Sequence, residues 1–420
     1  MLRTLPPAIL VILVVSAPSL SWGQPSLSAS LGQGVESLAA PGAGSDAQGE
    51  LAGAARLEYA FAAERARVGY DVDVTTYAVP GDWRSVSHVL SGRYRFDAGS
   101  RGRASLFVGG ETAFRRNGSA WDAADFDAAG AFANYELKPS DTSSVRAGYR
   151  LDVRRFRDIA GLDHLEQAAF GSVRVNLPSR TTLIGEVAVG AKHYRGGIPT
   201  VADVAAAVPA TAAGASGGTQ GTGMGAGRGP ASGFHDTWSS LPTVAPTVDA
   251  IAVVPSSDAR TVTVFARVAQ SLAARTGVTF DVTRRLTFGE VPSTVVSTPA
   301  RFFDDGVYDD PFASDATDLR AGLTSIFTGE VEMKAVARWL DKPYGATTAL
   351  DDTGMPIAGT LRHDRVARGA LFVTVPLAPS RTGAFDLSLV GGYDYTHHES
   401  TTAAYNYASH AVRLGFSVEY

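Results

Sequence analysis

The stretch SVRAGYRLDVR, residues 144–154, alternates without a break. Val145, Ala147, Tyr149, Leu151 and Val153 take one parity; Arg146, Gly148, Arg150, Asp152 and Arg154 take the other. Successive side chains of a strand point to opposite faces, so this segment predicts a strand with one apolar and one charged face. The same period of two runs through VGYDVDV (68–74), RASLFVGGETAF (103–114), TLIGEVAVGAK (182–192), TVTVFARVA (261–269), EVEMKAVARW (330–339), AFDLSLVGGYDYT (384–396) and AVRLGFSVEY (411–420). Helical spacing is confined to the Ala-rich VADVAAAV (201–208), which suits a short helix. The fold class is all-β.

The connections alternate between short and long. Tight polar turns fall near 64–66, 99–102, 139–142, 178–181, 275–277, 328–330 and 378–383. Longer segments fall near 40–50, 79–86, 118–125, 158–162, 197–258, 290–315, 342–361 and 399–404. That rhythm predicts an antiparallel up-and-down transmembrane β-barrel of about sixteen strands, with both termini on the tight-turn rim. The opening partner is LSASLGQGV (27–35), the least marked strand, and about fourteen strands is the alternative count. Stretch 197–258 is rich in Ala, Gly, Thr and Pro and buries little apolar area, so a surface loop is expected there, with a plug as the alternative.

A soluble sandwich would alternate as regularly, with the apolar faces inside. Strand length argues against it: the proposed strands run longer than the five or six residues, roughly, of soluble sheets. Apolar-parity aromatics also gather near strand ends: Phe61, Phe96, Tyr135, Phe385 and Tyr420 at the turn rim, Phe114, Trp339, Tyr393 and Tyr395 at the loop rim. Two such belts suit the two interfaces of a bilayer. The opposite parity supplies the wall of a wet interior, and its candidate pore-lining residues are Arg93, Arg95, Glu111, Arg146, Arg150, Arg154, Arg174, Glu186, Lys192, Arg267, Glu332, Lys334, Arg338, Asp386 and Asp394.

The chain start reads as an export signal. MLRTLPP carries a basic residue, AILVILVVSA (8–17) is apolar, and PSLSWGQ is a short polar exit, so cleavage is expected after Gly23. An apolar run of about ten residues is half of what a spanning helix needs. Residues 24–420 then form a single barrel domain. The chain has no cysteine, so packing and backbone hydrogen bonds must hold it. A net charge of −5 offers no basic footprint for nucleic acid.

With the strand pattern in place, the end RLGFSVEY (413–420) resembles the C-terminal assembly signal of Gram-negative outer-membrane β-barrel proteins. Arg413, Gly415, Val418 and Tyr420 match it; the departure is a final Tyr where Phe is commonest. The resemblance implies an outer-membrane location with periplasmic termini, outer-membrane lipid and the barrel-assembly machinery as partners, and a porin-like fold that can form homo-oligomers. Physics adds that the last strand must pair with the first, because an open edge in hydrocarbon costs several kcal/mol per unpaired group.

Sites of chemistry are sparse. GASGG (214–218) satisfies G-x-S-x-G, but it lies in a Gly/Ala/Ser tract without a strand–turn–helix setting, so Ser216 is not expected to be a nucleophile, and no enzyme activity is expected. Asp304, Asp305, Asp309, Asp310, Asp315 and Asp318 in loop 302–318 could hold Ca²⁺, though without EF-hand spacing; a solvated acidic loop is the simpler expectation, and no resident cofactor is expected. His397, His398 and Glu399 adjoin, but neighbours on a strand face opposite ways, which argues against a shared metal. Arg146, Arg150 and Arg154 could form a basic lane for anionic solutes, or pair with carboxylates of adjacent strands. The function expected is passive diffusion of small polar solutes, leaning to anions; the alternative is a structural or adhesive surface barrel with a blocked lumen.

Overall fold

The computed structural model describes residues 23–39, 46–61, 65–77, 84–98, 103–118, 125–157, 163–194, 251–254, 259–289, 293–296, 312–352, 355–378 and 386–419. Its strands are β1 (Gly23–Ala39), β2 (Asp46–Phe61), β3 (Ala66–Tyr77), β4 (Arg84–Ala98), β5 (Ala104–Asn117), β6 (Phe126–Ser140), β7 (Ser143–Phe156), β8 (His164–Leu177) and β9 (Thr181–Tyr194). They continue as β10 (Ile251–Val254), β11 (Ala259–Ala273), β12 (Thr276–Gly289), β13 (Ser293–Val296), β14 (Ala316–Ile326), β15 (Glu332–Leu350), β16 (Pro356–Ala378), β17 (Asp386–Ser400) and β18 (Tyr407–Glu419). All but β10 and β13 join one closed antiparallel barrel, which therefore has sixteen strands. β10 and β13, from two long loops, pair with each other as a separate two-stranded sheet.

Closure is made by β1 and β18, with Leu31 opposite Phe416 and Ala29 opposite Val418. The first strand starts at Gly23 and ends at Ala39, longer than the predicted 27–35. Backbone groups of every barrel strand thus find partners within the sheet, the condition for a sheet to stand in hydrocarbon. A strand of 14 residues such as β7 climbs roughly 33 Å at ~3.3 Å per residue and ~45° tilt, more than an apolar band of ~25 Å requires.

On the wall strands from β3 to β18 one parity carries exposed apolar side chains: Tyr70, Leu90, Phe96, Val108, Phe114, Tyr135, Tyr149, Leu151, Val187, Phe280, Trp339, Tyr393, Leu414 and Phe416 are all exposed. In a closed barrel that convex face is the outer one, and exposed apolar surface on this scale belongs against lipid. The protein is a transmembrane β-barrel of the outer-membrane type.

The turn-side hairpins are tight. The turn between β14 and β15 closes with the Phe327 amide donating to the Val331 carbonyl at 2.8 Å, and Gly329 supplies the φ of 79° that the reversal needs. Inside the barrel, aromatic rings lie flat on glycines of the facing strand. A methyl at Gly109 would sit 2.6 Å from Phe132 Cζ, and one at Gly392 would sit 3.1 Å from Phe372 Cδ1. These glycines let the rings hug the wall rather than cross the lumen.

One predicted loop is not a loop. Segment 342–361 continues β15 and β16 as the longest hairpin of the barrel, with β16 reaching 23 residues. Its composition (KPYGATTALDDTGMPIAG) looks irregular, and register shifts do interrupt the pairing after Pro343. The hairpin persists because the 401–406 connection braces it. His363 donates its amide to Thr401 Oγ1 at 2.8 Å, Thr401 Oγ1 donates to the Leu361 carbonyl at 3.0 Å, and Leu350 donates to Thr402 Oγ1 at 3.3 Å. The predicted helix at 201–208, Ser216, and most of the 197–258 loop lie outside the described residues.

Candidate functional site: the lumenal wall

Cross-strand register carries the charged parity of one strand onto the same face of the next. On the β2–β8 wall this brings opposite charges together in small groups, and Asp97 contacts both Arg65 and Arg95. Arg67 meets Glu58 at 2.7 Å, Arg95 meets Asp97 at 3.1 Å, and Arg146 meets Glu136 at 3.6 Å. Arg150 donates to Glu111 at 2.8 Å and to Asp152 at 2.5 Å. Arg154 lies over the Phe126 ring at 4.5 Å. Of the two alternatives for Arg146, Arg150 and Arg154, pairing describes the first two, because β6 and β5 supply Glu136 and Glu111 at the matching heights.

The β8–β16 wall is built otherwise. A single row of paired positions runs Arg174, Ile184, Arg267, Asp281, Arg320, Arg338, Arg368 across seven successive barrel strands. Three arginines thus stand side by side on β14, β15 and β16. Directly opposed like charges are unfavourable, so the row needs counter-ions. Asp318, two residues along β14, accepts from both Arg320 and Arg338, each Nη2 at 2.9 Å. Asp394 takes Arg368 through Nε at 2.8 Å, and Asp281 takes Arg267 by a two-fold contact at 2.6 Å. Arg174 donates to Asn176 Oδ1 at 3.2 Å. Four of the five arginines are served by three aspartates. The carboxylates sit deep against the wall, with Asp318 11% exposed, whereas Arg320 is 50% exposed. The Arg320 guanidinium thus faces the lumen, while Arg368 is largely buried against the wall.

The remaining predicted residues occupy the same charged parity. Arg93 is exposed, while Glu186, Glu332 and Lys334 are half-buried and Asp386 is exposed at the turn end of β17. Lys192 is buried, its Nζ 5.0 Å from the Tyr194 ring and 5.8 Å from the Phe312 ring. In the C-terminal strand, Arg413 and Gly415 are buried on the inner parity and Val418 is exposed on the outer one; Tyr420 lies outside the described residues. Sequence reasoning missed Arg320, Arg368 and Asp281, and it assigned Asp318 to the acidic loop rather than to the wall. The signal of Asp318 and Arg320 was present in the parity of ATDLRAGLTSI (316–326), but the grouping of all four depends on strand register.

Toward the loop rim the lumen is packed. Phe126, Phe156, His164, Lys192, Thr261 and Ser314 are buried, and Phe312 is only 3% exposed. The acidic loop expectation changes accordingly. Asp315 accepts the Thr287 amide at 2.8 Å and Asp318 belongs to the arginine row, so neither is free to ligate calcium; Asp304, Asp305, Asp309 and Asp310 lie outside the described residues. Among the described residues no group of side chains could hold a metal ion. His397 faces Glu399 at 3.2 Å, while His398 turns inward to Asp364 at 3.5 Å, as strand alternation requires.

That inward cluster crowns the arginine wall. The outer parity of β16 runs Leu377, Val375, Val373, Leu371, Gly369, Ala367, then Arg365 and His363, both against Asp341. Charged outward side chains mark the end of the hydrocarbon, so Arg362, Asp364 and His398 stand above it. Arg362 lies between the Tyr344 ring at 4.4 Å and the Tyr405 ring at 3.8 Å, with its Nη2 2.5 Å from Asp364 Oδ2. Ser400 Oγ donates to the other carboxylate oxygen at 2.6 Å. Burial opposes the charge on Asp364, but Arg362 and the His398 contact outweigh it and hold the carboxyl well below its ordinary range. Burial pushes the His398 imidazole below its ordinary value.

No protein-family model matches the chain, and no curated protein matches it. Among solved structures the chain is similar to OccAB1 of Acinetobacter baumannii, at 10% identity over 94% of this chain and 96% of that one, TM-score 0.47. It is also similar to the outer membrane protein OpdK of Pseudomonas aeruginosa, at 10% identity over 94% and 99%, TM-score 0.47. A third is OccK2 (OpdF) of Pseudomonas aeruginosa, solved in complex with glucuronate, at 11% identity over 95% and 99%, TM-score 0.45. These are likenesses of chain path at low identity; the barrel itself is read from the strand pairing.

Proposed function

We propose that the protein is an outer-membrane channel for passive diffusion of small polar solutes, and that it favours anions. The observation that carries the reading is the arginine row of the β8–β16 wall, where Arg320, Arg338 and Arg368 stand in register, Asp318 serves two of them, and the Arg320 side chain is half exposed. A sixteen-stranded barrel is wide enough for an aqueous interior. Excess positive charge on its wall raises the local concentration of anions and repels cations. The packed loop-side half narrows the path, so conductance per channel is expected to be small. The C-terminal strand, ending in Val418 and Tyr420, is the proposed signal for the barrel-assembly machinery.

The packing at the loop rim also favours a second reading, a surface barrel with a blocked lumen. Planar-bilayer recording of the refolded protein separates the two. A small ionic current, with a reversal potential of anionic sign in a salt gradient, supports the channel. Absence of any current at all applied voltages would sink it in favour of the surface barrel.

A further inference from the structure

Pairing of β12 with β14 ends at Arg285 opposite Ala316, yet the chain just before Ala316 stays inside the wall. Phe312, Ala313 and Ser314 are buried, Ser314 completely. Ser314 still bridges to Tyr344, and the Asp315 amide donates to the Pro343 carbonyl at 3.1 Å, so this end of the connection is tied to β15. Two residues earlier the Phe312 ring lies against β9: a methyl on Gly190 would sit 3.3 Å from Phe312 Cζ. Around the barrel, β12 and β11 stand between β14 and β9. At ~4.8 Å between strands that span is roughly 14 Å. The segment therefore leaves the line of β14 and crosses the inner faces of β12 and β11.

The wall is shaped for the crossing. Register lines up Gly190, Thr261 and Thr287 on the lumenal parity of β9, β11 and β12, a transverse row of small side chains. A bulky residue at Gly190 would take the place of the ring, since its first carbon would already be 2.9 Å from Thr261 Oγ1. Backbone taken off the surface must also find partners. The Ser314 carbonyl accepts from Arg285 Nε at 3.2 Å and from Thr287 Oγ1 at 2.9 Å. Arg285 Nη2 donates to Ser314 Oγ at 3.2 Å, and the Thr287 amide donates to Asp315 Oδ1 at 2.8 Å. At the far end the Phe312 ring centroid is 5.8 Å from Lys192 Nζ.

We propose that Phe312–Ser314 is a fixed ledge inside the barrel, which narrows the solute path beneath the loop rim on the β9–β14 side. A connection that served only to close the chain would run over the rim, where water satisfies its backbone. This one is clamped to the lumenal wall by Arg285 and Thr287, so it keeps its place as solutes pass. Its role as a narrowing rests on the channel function proposed above; its seating on the wall does not.

The test has one arm for each. The chain has no cysteine, so Ser314→Cys provides a single thiol. In the refolded barrel a water-soluble maleimide should label it slowly, and adding Arg285→Gln with Thr287→Val should speed labelling by about tenfold or more. In planar bilayers Phe312→Ala should raise the single-channel conductance by about 1.5-fold or more. Heat-modifiable gel migration reports refolding, and the labelling arm stands should Phe312→Ala refold poorly. Labelling of Ser314→Cys as fast as in the urea-unfolded chain would overturn the seating, and with it the ledge. Equal conductance of wild type and Phe312→Ala would overturn the ledge and leave the channel standing. A silent wild type beside a conducting Phe312→Ala would keep the ledge and refute the open channel; silence of both would refute both.

Discussion

The two walls of the lumen carry similar side chains and differ in how register distributes them. On β3–β8 one arginine pair is in register, Arg67 with Arg93, and Arg95, Arg146 and Arg150 contact carboxylates on their own strand or up to two strands away, as with Arg150 between Glu111 and Asp152. On β11–β16 the arginines themselves are brought into register, and Asp318 must serve two of them. The electrostatic character of a barrel wall is thus a property of pairing, not of how many arginines a strand contains. A strand of three arginines can be neutralised, and a strand of one can join an excess.

The largest effect is expected at the top of the arginine wall. Asp364 is fully buried and holds a buried Arg362. Asp364→Ala leaves that guanidinium buried without its carboxylate, and a broken buried pair costs about 3–5 kcal/mol. Asp152→Ala on the other wall leaves a partly exposed Arg150 still paired with Glu111 and should cost under about 1 kcal/mol. Thermal unfolding followed by gel mobility compares them; equal losses would erase the distinction between the walls. The next effect is on selectivity. Arg338 alone can hold Asp318, so Arg320→Gln removes a charge without orphaning its partner. A unit charge at ~4 Å in water is worth about 1 kcal/mol, so the anion-to-cation permeability ratio should fall by about fivefold. An unchanged reversal potential would move the selectivity elsewhere.

A smaller effect is expected from acid. The folded-state pKa of His398 is depressed, so unfolding takes up a proton once the pH drops below the ordinary imidazole value. Its contribution is complete above that value and is lost as pH falls toward the depressed one. Asp364, also depressed, adds a loss only further down, below the ordinary carboxylate range. Stability should therefore decline in two steps on acidification, and His398→Gln should flatten the first. A first step unchanged in that variant would assign it to another group.

Much of this architecture was legible because strand parity is local. The lipid-facing residues of β7 and β18 follow from alternation alone, and so does the opposite turning of His397 and His398. Partnership is not local. Nothing in RLDVRRFRD says that Glu111 lies at the height of Arg150, or that Arg320 will stand beside Arg338; both depend on the offset of each hairpin. The β15–β16 extension escaped for a different reason. Its glycines and prolines resemble a loop, and only the brace from 401–406 and the buried Arg362–Asp364 pair keeps it a strand.

The smallest expected effect is the most direct probe of the comparison. Glu111→Gln with Arg150→Gln removes one negative and one positive charge from the paired wall. Since Arg150 also serves Asp152, that carboxylate loses its partner, but it is partly exposed and water can solvate it. Net wall charge is unchanged by the double substitution, so the reversal potential should stay at the wild-type value and stability should move by under about 1 kcal/mol. Arg150→Gln alone should instead shift selectivity toward cations, because Glu111 and Asp152 both lose that positive charge. If the double variant shifts as far as the single one, charge pairing does not cancel at this wall, and the arginine row of β11–β16 loses its claim to be the distinguishing feature of the lumen.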